Sequence, residues 1–211
     1  MTTWIDEELA TVDLGDKRLD KRMGIILDRY AAKPTASNPQ AFRGGAELQG
    51  AYRFFNNVSV TPEAVLAPHR DATIRRIREH AVALLAQDTS EVDCTRKEEV
   101  VKDSGPLTYE ARSGFLLHPV IAFTPERLPL GTINAKVWAR DPKDPHKKEE
   151  RKQKPFEDKE SYRWFEGYRH ACDVAASCPD TKIVGLSDRE GDIYGSSAES
   201  VGKRSRARAA N

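Results

Sequence analysis

The chain has 211 residues, enough for one sizeable domain or two small ones. Charged residues make up 32% of it, but 34 Lys and Arg almost balance 33 Asp and Glu, so the net charge of +1 neither favours nor excludes a nucleic-acid partner. No apolar stretch approaches the ~20 residues of a membrane span, and the N-terminal sequence is acidic where a secretory signal is basic. The three cysteines form no CxxC pair. We therefore expect a cytoplasmic protein with free thiols.

Residues 4–80 have helical patterns throughout, and we interpret residues 1–80 as an all-helical domain. The first helix is predicted by apolar residues at helical spacing, namely Leu19, Met23, Ile26 and Tyr30. The run from Pro34 to Pro39 is expected to end this helix in a loop. Its other faces carry four cations interleaved with Asp16 and Asp20: Lys17, Arg18, Lys21 and Arg22. These residues alone indicate either a solvated helix face or a phosphate-binding one.

Two further helices are predicted in this domain. One runs from about Ala46 to Phe55. The other begins where Thr61 and Pro62 have the pattern of an N-cap and a first helical residue. It should extend to about His80, with an irregularity at Pro68.

Beyond residue 80 the sequence predicts a mixed α/β sheet, in a domain of residues 81–194. Four apolar runs are typical of strands: Val82 to Gln87, Gly114 to Phe123, Pro129 to Arg140 and Ile183 to Leu186. The second and third are close in sequence and predict an antiparallel hairpin, and a helix is expected from Glu160 to Ser177. Residues 141–158 are interpreted as a polar loop, and 195–211 as a disordered basic tail with too few apolar residues to fold alone.

Asp88 and Asp188 each lie at the end of a predicted strand, 100 residues apart. A carboxylate in that position is costly to bury unless it binds a metal, accepts hydrogen bonds or is paired. On neighbouring strands, two of them could share divalent cations. The alternative is that each caps a turn, and the residues alone leave both readings open. His118 stands in an apolar strand and is interpreted as a core histidine with satisfied hydrogen bonds, and Trp164 as a core residue.

Five motifs, in the expected order, resemble those of the DDE transposases of bacterial insertion sequences. They are Leu14-Gly15-Asp16-Lys17-Arg18; Gln49-Gly50-Ala51-Tyr52-Arg53-Phe54 with Asn57-Val58-Ser59-Val60; Asp88-Thr89-Ser90; Asp158-Lys159-Glu160-Ser161-Tyr162-Arg163-Trp164; and Asp188-Arg189-Glu190-Gly191-Asp192-Ile193-Tyr194. The resemblance is to the cut-and-paste group, and it covers the chain to about Tyr194. It implies a helical DNA-binding domain followed by an RNase H-like catalytic domain.

The resemblance also implies roles for particular residues. DNA contacts are expected from the helical domain, at Lys17, Arg18, Lys21, Arg22 and Arg53. Asp88 and Asp188 would be the first two ligands of Mg²⁺, for which Mn²⁺ can substitute, in phosphodiester cleavage and strand transfer at transposon terminal repeats. The third acid of such enzymes belongs to a Tyr-x-x-Arg-x-x-x-Glu motif that these 211 residues lack. We therefore expect a C-terminally truncated transposase with a partial RNase H-like domain and little or no strand-transfer activity.

Two other functions are compatible with the sequence. One is a non-catalytic module that binds transposon-end DNA and inhibits intact transposase, with which it could also pair. The other is a metal-dependent nuclease that does not transpose, for which Glu190 is the nearby candidate third ligand. End-specific binding to double-stranded DNA is common to the transposase and the inhibitor, whereas metal-dependent cleavage would distinguish them.

Overall fold

The computed structural model describes residues 3–96, 101–108, 112–141 and 159–188. The chain divides into two compact units, the first ending at Arg76 and the second beginning at Ile77. The first unit is helical, and its elements are α1 Trp4–Glu8, α2 Lys17–Ala32, α3 Asn38–Ala41, α4 Gly44–Phe55 and α5 Pro62–Ile77, which ends at the boundary. Across the described ranges, every helix is too short or too polar to cross a membrane.

Helices α1, α2 and α5 begin at side chains that accept hydrogen bonds from free backbone N–H groups. Asp16 caps α2, where its carboxylate accepts a hydrogen bond from the backbone N–H of Arg18 at 2.8 Å. The Thr61 hydroxyl accepts one from Ala64 N at 3.1 Å, which confirms the predicted start of α5. The helical path continues through Pro68 and ends at Ile77, three residues before the predicted end.

The predicted apolar stripe of α2 lies in the core of the first unit. Met23 and Ile26 are buried there, and Leu19 and Tyr30 pack against them. The remaining buried residues of this core are Leu14, Ala41, Phe42, Ala51 and Phe54. The stripe is therefore confirmed as the face on which this unit is assembled.

One prediction in this unit was wrong, because the run from Pro34 to Pro39 is not loop throughout. Its last residues form the beginning of α3, a single turn. The Gln40 side chain accepts hydrogen bonds from Ser37 N at 3.3 Å and Ser37 Oγ at 3.0 Å. Pro39 lies in the first turn, where its missing N–H costs nothing, so this short helix tolerates the proline that was expected to exclude it.

The described residues of the second unit form one sheet and one long helix. Its elements are β1 Val82–Gln87, β2 Ser90–Asp93, β3 Gly105–Pro106, β4 Ser113–Phe123, β5 Pro129–Trp138, α6 Tyr162–Ser177 and β6 Lys182–Leu186. The four predicted strands and the predicted helix are confirmed, with ends that shift by one or two residues. The short strands β2 and β3 were not predicted, because both are polar or very short and are defined by backbone pairing with β4.

Strand β4 is the centre of the sheet. β1 and β2 follow one of its edges, and β3 and β5 follow the other, all antiparallel. The predicted hairpin of β4 and β5 is therefore confirmed. β6 pairs with β1 in the parallel direction, and α6 lies on the connection from β5 back to β6. Across the sheet the order is β5, β4, β1, β6.

Candidate DNA-binding helices and acidic strand ends

The cations of α2 differ in their surroundings. Arg18 is bound to its own N-cap residue: its Nη2 lies 2.8 Å from Asp16 Oδ2, and its side chain is 91% exposed. This hydrogen bond to the carboxylate raises the pKa of Arg18 above its ordinary value. The charge of Arg18 is therefore partly offset by a neighbour, although the side chain is free to reorient.

Arg22 lies against α4. A Cβ atom built on Gly50 would be 2.6 Å from Arg22 Cζ and 2.7 Å from Arg22 Nη1, so the guanidinium occupies the space that a side chain at position 50 would need. Within the part of the chain that the structure describes, Arg22 has no hydrogen bond or ion pair to a carboxylate. Its positive charge is thus held in place by packing and is not neutralised.

Arg53 follows Gly50 by three residues on α4, so the two positions are neighbours on one helix face. Arg53 is exposed, and among the described residues it too has no carboxylate partner. The Arg22 guanidinium over Gly50 and the Arg53 side chain therefore place two unpaired cations on the same side of α4. Planar guanidinium groups bind phosphate through two parallel hydrogen bonds, so this arrangement is chemically suited to a DNA backbone.

The two lysines lie elsewhere on α2. Lys21 lines a groove between α1 and α2, together with Ile5, Leu9 and Asp28. Lys17 is exposed at the first residue of α2. The five cations expected to contact DNA thus do not form a single stripe, and the structure brings Arg22 and the α4 helix of Arg53 together but not Lys21.

A further arginine has a structural role that the sequence did not indicate. Arg29 of α2 donates two hydrogen bonds to the Glu47 carboxylate of α4, at 2.9 Å each. Together with a hydrogen bond from the Arg43 backbone N–H, Arg29 lowers the pKa of Glu47 to about 2. Residues 29 and 47 are 18 positions apart, so nothing in the spacing could have paired them.

In the second unit, the parallel pairing of β1 with β6 places the two aspartates in equivalent positions. The pairing runs from Val82↔Lys182 to Ala86↔Leu186, and Asp88 and Asp188 each follow the last pair by two residues. Both are exposed at the carboxyl ends of strands that lie about 4.8 Å apart in a sheet. The register therefore places the backbones of Asp88 and Asp188 side by side.

These carboxylates suit a hard divalent cation. Mg²⁺ is commonly held by one or two carboxylates and completes its octahedron with water and substrate phosphate oxygens. Over residues 3–96, 101–108, 112–141 and 159–188, no group of three His, Cys, Asp or Glu side chains could hold a metal. Two carboxylates supply fewer than six ligands, so a Mg²⁺ ion held by Asp88 and Asp188 would need water or phosphate oxygens to complete its octahedron. The candidate third ligand Glu190 lies outside the described residues, as do residues 142–158 of the predicted polar loop and the predicted basic tail 195–211.

A part-buried polar cluster adjoins Asp88. His118 is 2% exposed, which confirms it as a core histidine with satisfied hydrogen bonds. Its Nδ1 lies 2.8 Å from Thr89 Oγ1 and its Nε2 lies 3.1 Å from Gln87 Oε1. Burial, and secondarily the Arg163 charge, lower the pKa of His118 to about 4, so the imidazole is neutral near pH 7. Trp164 is also 2% exposed and is confirmed as core.

The N-terminal unit is similar to a known protein family. Residues 1–60 match the family model described as "Transposase DNA-binding". The matched segment contains α1 to α4 and all five cations for which DNA contacts were expected. The chain therefore carries a transposase-type N-terminal DNA-binding domain.

Proposed function

We propose that this protein binds double-stranded DNA at transposon terminal repeats through its N-terminal helical unit. The observation that carries the proposal is the match of residues 1–60 to a transposase DNA-binding domain. A chemical basis for it is that Arg22 and Arg53 lie on one side of α4 and have no carboxylate partner among the described residues.

Phosphate contacts would supply most of the affinity. Each DNA phosphate neutralised by a cation releases condensed counterions, which makes binding strongly salt-dependent. Arg22 and Arg53 are the proposed direct contacts. Lys17, Arg18 and Lys21 lie on the same helix as Arg22 and would add attraction over a longer range, screened within about 8–10 Å at physiological salt.

We further propose that the second unit is a partial RNase H-like catalytic domain of the DDE type. Its support is the order β5, β4, β1, β6, with three antiparallel strands and a fourth that returns parallel to β1 after α6. Asp88 and Asp188 at the ends of the two parallel strands are the proposed catalytic and Mg²⁺-binding residues. When bound there, Mg²⁺ would activate the nucleophile for phosphodiester cleavage. The aspartates would hold and orient the ion.

The alternative is a DNA-binding protein without catalysis that occupies transposon ends and competes with intact transposase. One observation favours it: in the described portion of the chain, two carboxylates follow the ends of adjacent strands where DDE chemistry uses three. Both functions require the helical unit to recognise the same DNA. They differ in whether the second unit can cleave it.

A combined binding and nicking experiment tests both statements. A labelled duplex that carries the element's terminal repeat, and a scrambled duplex of equal length, are incubated with the full chain and Mg²⁺ or Mn²⁺. Preferred binding to the repeat supports the proposed partner, and equal binding to both duplexes contradicts it. Nicking that disappears in Asp88→Ala supports catalysis by the strand-end aspartates, whereas binding without nicking in the wild type supports the inhibitor.

A further inference from the structure

We propose that Arg163, Thr89 and His118 form a hydrogen-bonded chain that positions Asp88, with Arg163 and His118 as positioning residues acting through Thr89. The proposal rests on the proposed role of Asp88 as a metal ligand. Arg163 comes from α6, Thr89 from the segment after β1, and His118 from β4. Two elements of the second unit, α6 and β4, thus converge on Thr89, the residue next to the aspartate.

The register of the sheet shows that the backbone at Asp88 and Thr89 lacks regular ladder hydrogen bonds. Gln87 pairs with Val120 and Ser90 pairs with Leu117, so the same register places Asp88 opposite Pro119 and Thr89 opposite His118. Proline has no backbone N–H to donate to a strand ladder. Regular pairing is interrupted at Asp88 and Thr89, between β1 and β2. Side-chain hydrogen bonds fix the chain where ladder bonds are missing.

The direction of each hydrogen bond follows from the groups present. Gln87 Oε1 can only accept, so His118 Nε2, 3.1 Å away, carries the proton and donates. A neutral imidazole then has an unprotonated Nδ1, which accepts from the Thr89 hydroxyl at 2.8 Å. Thr89 Oγ1 in turn accepts from Arg163 Nε at 2.7 Å. The chain runs from Arg163 through Thr89 and His118 to Gln87, and it fixes the rotamer of Thr89.

Packing holds both ends of this chain. The Arg163 guanidinium lies over the rings of Trp164 and Trp138, at 5.4 and 5.8 Å from their centroids, and donates to Glu160 O at 2.7 Å. The ring of Trp164 meets His118 edge to face at 4.7 Å.

At the other end, a Cβ on Gly167 would lie 1.8 Å from Gln87 Oε1, so α6 touches Gln87 directly. With both ends fixed, Thr89 has little freedom, and its backbone N–H donates to Asp88 Oδ1 at 2.7 Å.

The test replaces the central hydroxyl. Thr89→Val keeps the shape and removes both hydrogen bonds, Thr89→Ser retains the hydroxyl, and Thr132→Val removes a hydroxyl from β5 of the same sheet. Arg163→Lys keeps the charge and loses the Nε donor. Thermal unfolding of each full-length variant verifies folding. Thr89→Ser and Arg163→Lys keep the proposal testable if Thr89→Val does not fold.

Two measurements test the positioning of Asp88 separately from the binding of metal by Asp88. Mn²⁺ affinity, measured by electron paramagnetic resonance without DNA, should fall about tenfold in Thr89→Val and Arg163→Lys and recover in Thr89→Ser. NMR of the Asp88 amide and carboxyl carbon should show a single sharp state in the wild type and Thr132→Val, and broadened or shifted signals in Thr89→Val. The His118 ring nitrogens should report the Nε2–H tautomer in the wild type.

The outcomes are distinguishable. Unchanged Mn²⁺ affinity and Asp88 signals in Thr89→Val, or an Nδ1–H tautomer of His118 in the wild type, would overturn the positioning chain even if Mn²⁺ binds. A wild type that binds no Mn²⁺ would contradict the proposed metal site. Altered Asp88 signals in Thr89→Val would then still support the chain as the device that positions Asp88.

Discussion

The helical unit and the sheet unit differ in how the polar side chains of their candidate sites are paired. In the helical unit, Arg22 and Arg53 have no carboxylate partner within the described residues, while Arg29 is bound to Glu47. In the sheet unit, the side chains next to Asp88 form a part-buried, directional hydrogen-bond network through Thr89 and His118. A DNA backbone is a repeating anion that unpaired cations can meet in several ways. A metal site requires ligands held within a fraction of an ångström.

This contrast predicts different sensitivities in the two units. Changes to the free cations should alter DNA binding with little effect on folding. Substitutions in the network of Thr89 and His118 should alter the stability of the sheet unit and the position of Asp88, with little effect on DNA binding.

The largest expected effect is the pH dependence of the sheet unit. The pKa of His118 is lowered from 6.5 to about 4 in the folded protein, so the unfolded chain binds this proton more readily. The resulting stability is fully present above pH 6.5 and is lost as the pH falls toward 4, by up to about 3 kcal/mol. Urea unfolding followed by tryptophan fluorescence at pH 7, 5.5 and 4 measures it.

The same unfolding measurement also compares the pH dependence of stability in the two units, because Glu47 lies in the helical unit. Its pKa is lowered to about 2, so the stability it gives to the helical unit is present above pH 4.5 and lost between about 4.5 and 2. The sheet unit should therefore weaken first on acidification. His118→Gln should flatten the stability profile between pH 4 and 6.5, and an unchanged profile in that variant would exclude His118 as its cause.

Next in size is Gly167→Ala in α6. The new Cβ would lie 1.8 Å from Gln87 Oε1, and Gln87 cannot move without losing its bond to His118. Overpacking of this kind costs about 1–3 kcal/mol. Gly185→Ala in β6, where a Cβ meets nothing within 4 Å, is the control for glycine replacement. Chemical unfolding of both variants checks the prediction, and equal stability would show that Gln87 is not held.

Gly50→Ala should weaken DNA binding by the helical unit while leaving its stability nearly unchanged. Its Cβ would displace the Arg22 guanidinium, which is the flexible end of a long side chain, so stability should change by less than about 1 kcal/mol. Affinity for terminal-repeat DNA should fall by about fivefold, because Arg22 loses its position. Gly45→Ala in the same helix has open space around its Cβ and should leave affinity unchanged. Fluorescence anisotropy measures both, and equal affinities would contradict the role of Arg22.

The smallest expected effect is Thr61→Ala. It removes the hydroxyl that accepts from Ala64 N at the start of α5, and loss of an N-cap costs about 1 kcal/mol. Thr35→Val, in an exposed part of the same unit, serves as the control. The free energy of unfolding should fall only for Thr61→Ala, while the pH profile assigned to His118 should be the same in both variants.

Elements with a clear apolar period could be predicted from the sequence. The stripe of α2 and the strands β1 and β4 bury side chains at regular spacing, and β5 and β6 are visible in the sequence as apolar runs. β2 could not be predicted, because Ser90 to Asp93 has the composition of a loop and becomes a strand only through backbone bonds to β4.

The candidate sites were predictable to different degrees. Asp88 and Asp188 were identified as strand-end residues, and the register of β1 with β6 now gives their relation. The contact of Arg22 with Gly50 and the bond from Arg163 to Thr89, 74 residues away, could not be read from spacing. Such contacts depend on how helices pack on each other and on the sheet, which one sequence does not encode in any local period.

The most direct test of the central claim is the salt dependence of DNA binding by Arg22→Gln/Arg53→Gln. The full chain, this double variant and Arg70→Gln, whose arginine is paired with Glu63 on α5, are titrated with terminal-repeat DNA from 50 to 200 mM salt. The account predicts that the slope of log affinity against log salt decreases by about 2 in the double variant and not in Arg70→Gln. An unchanged slope and affinity in the double variant would contradict it.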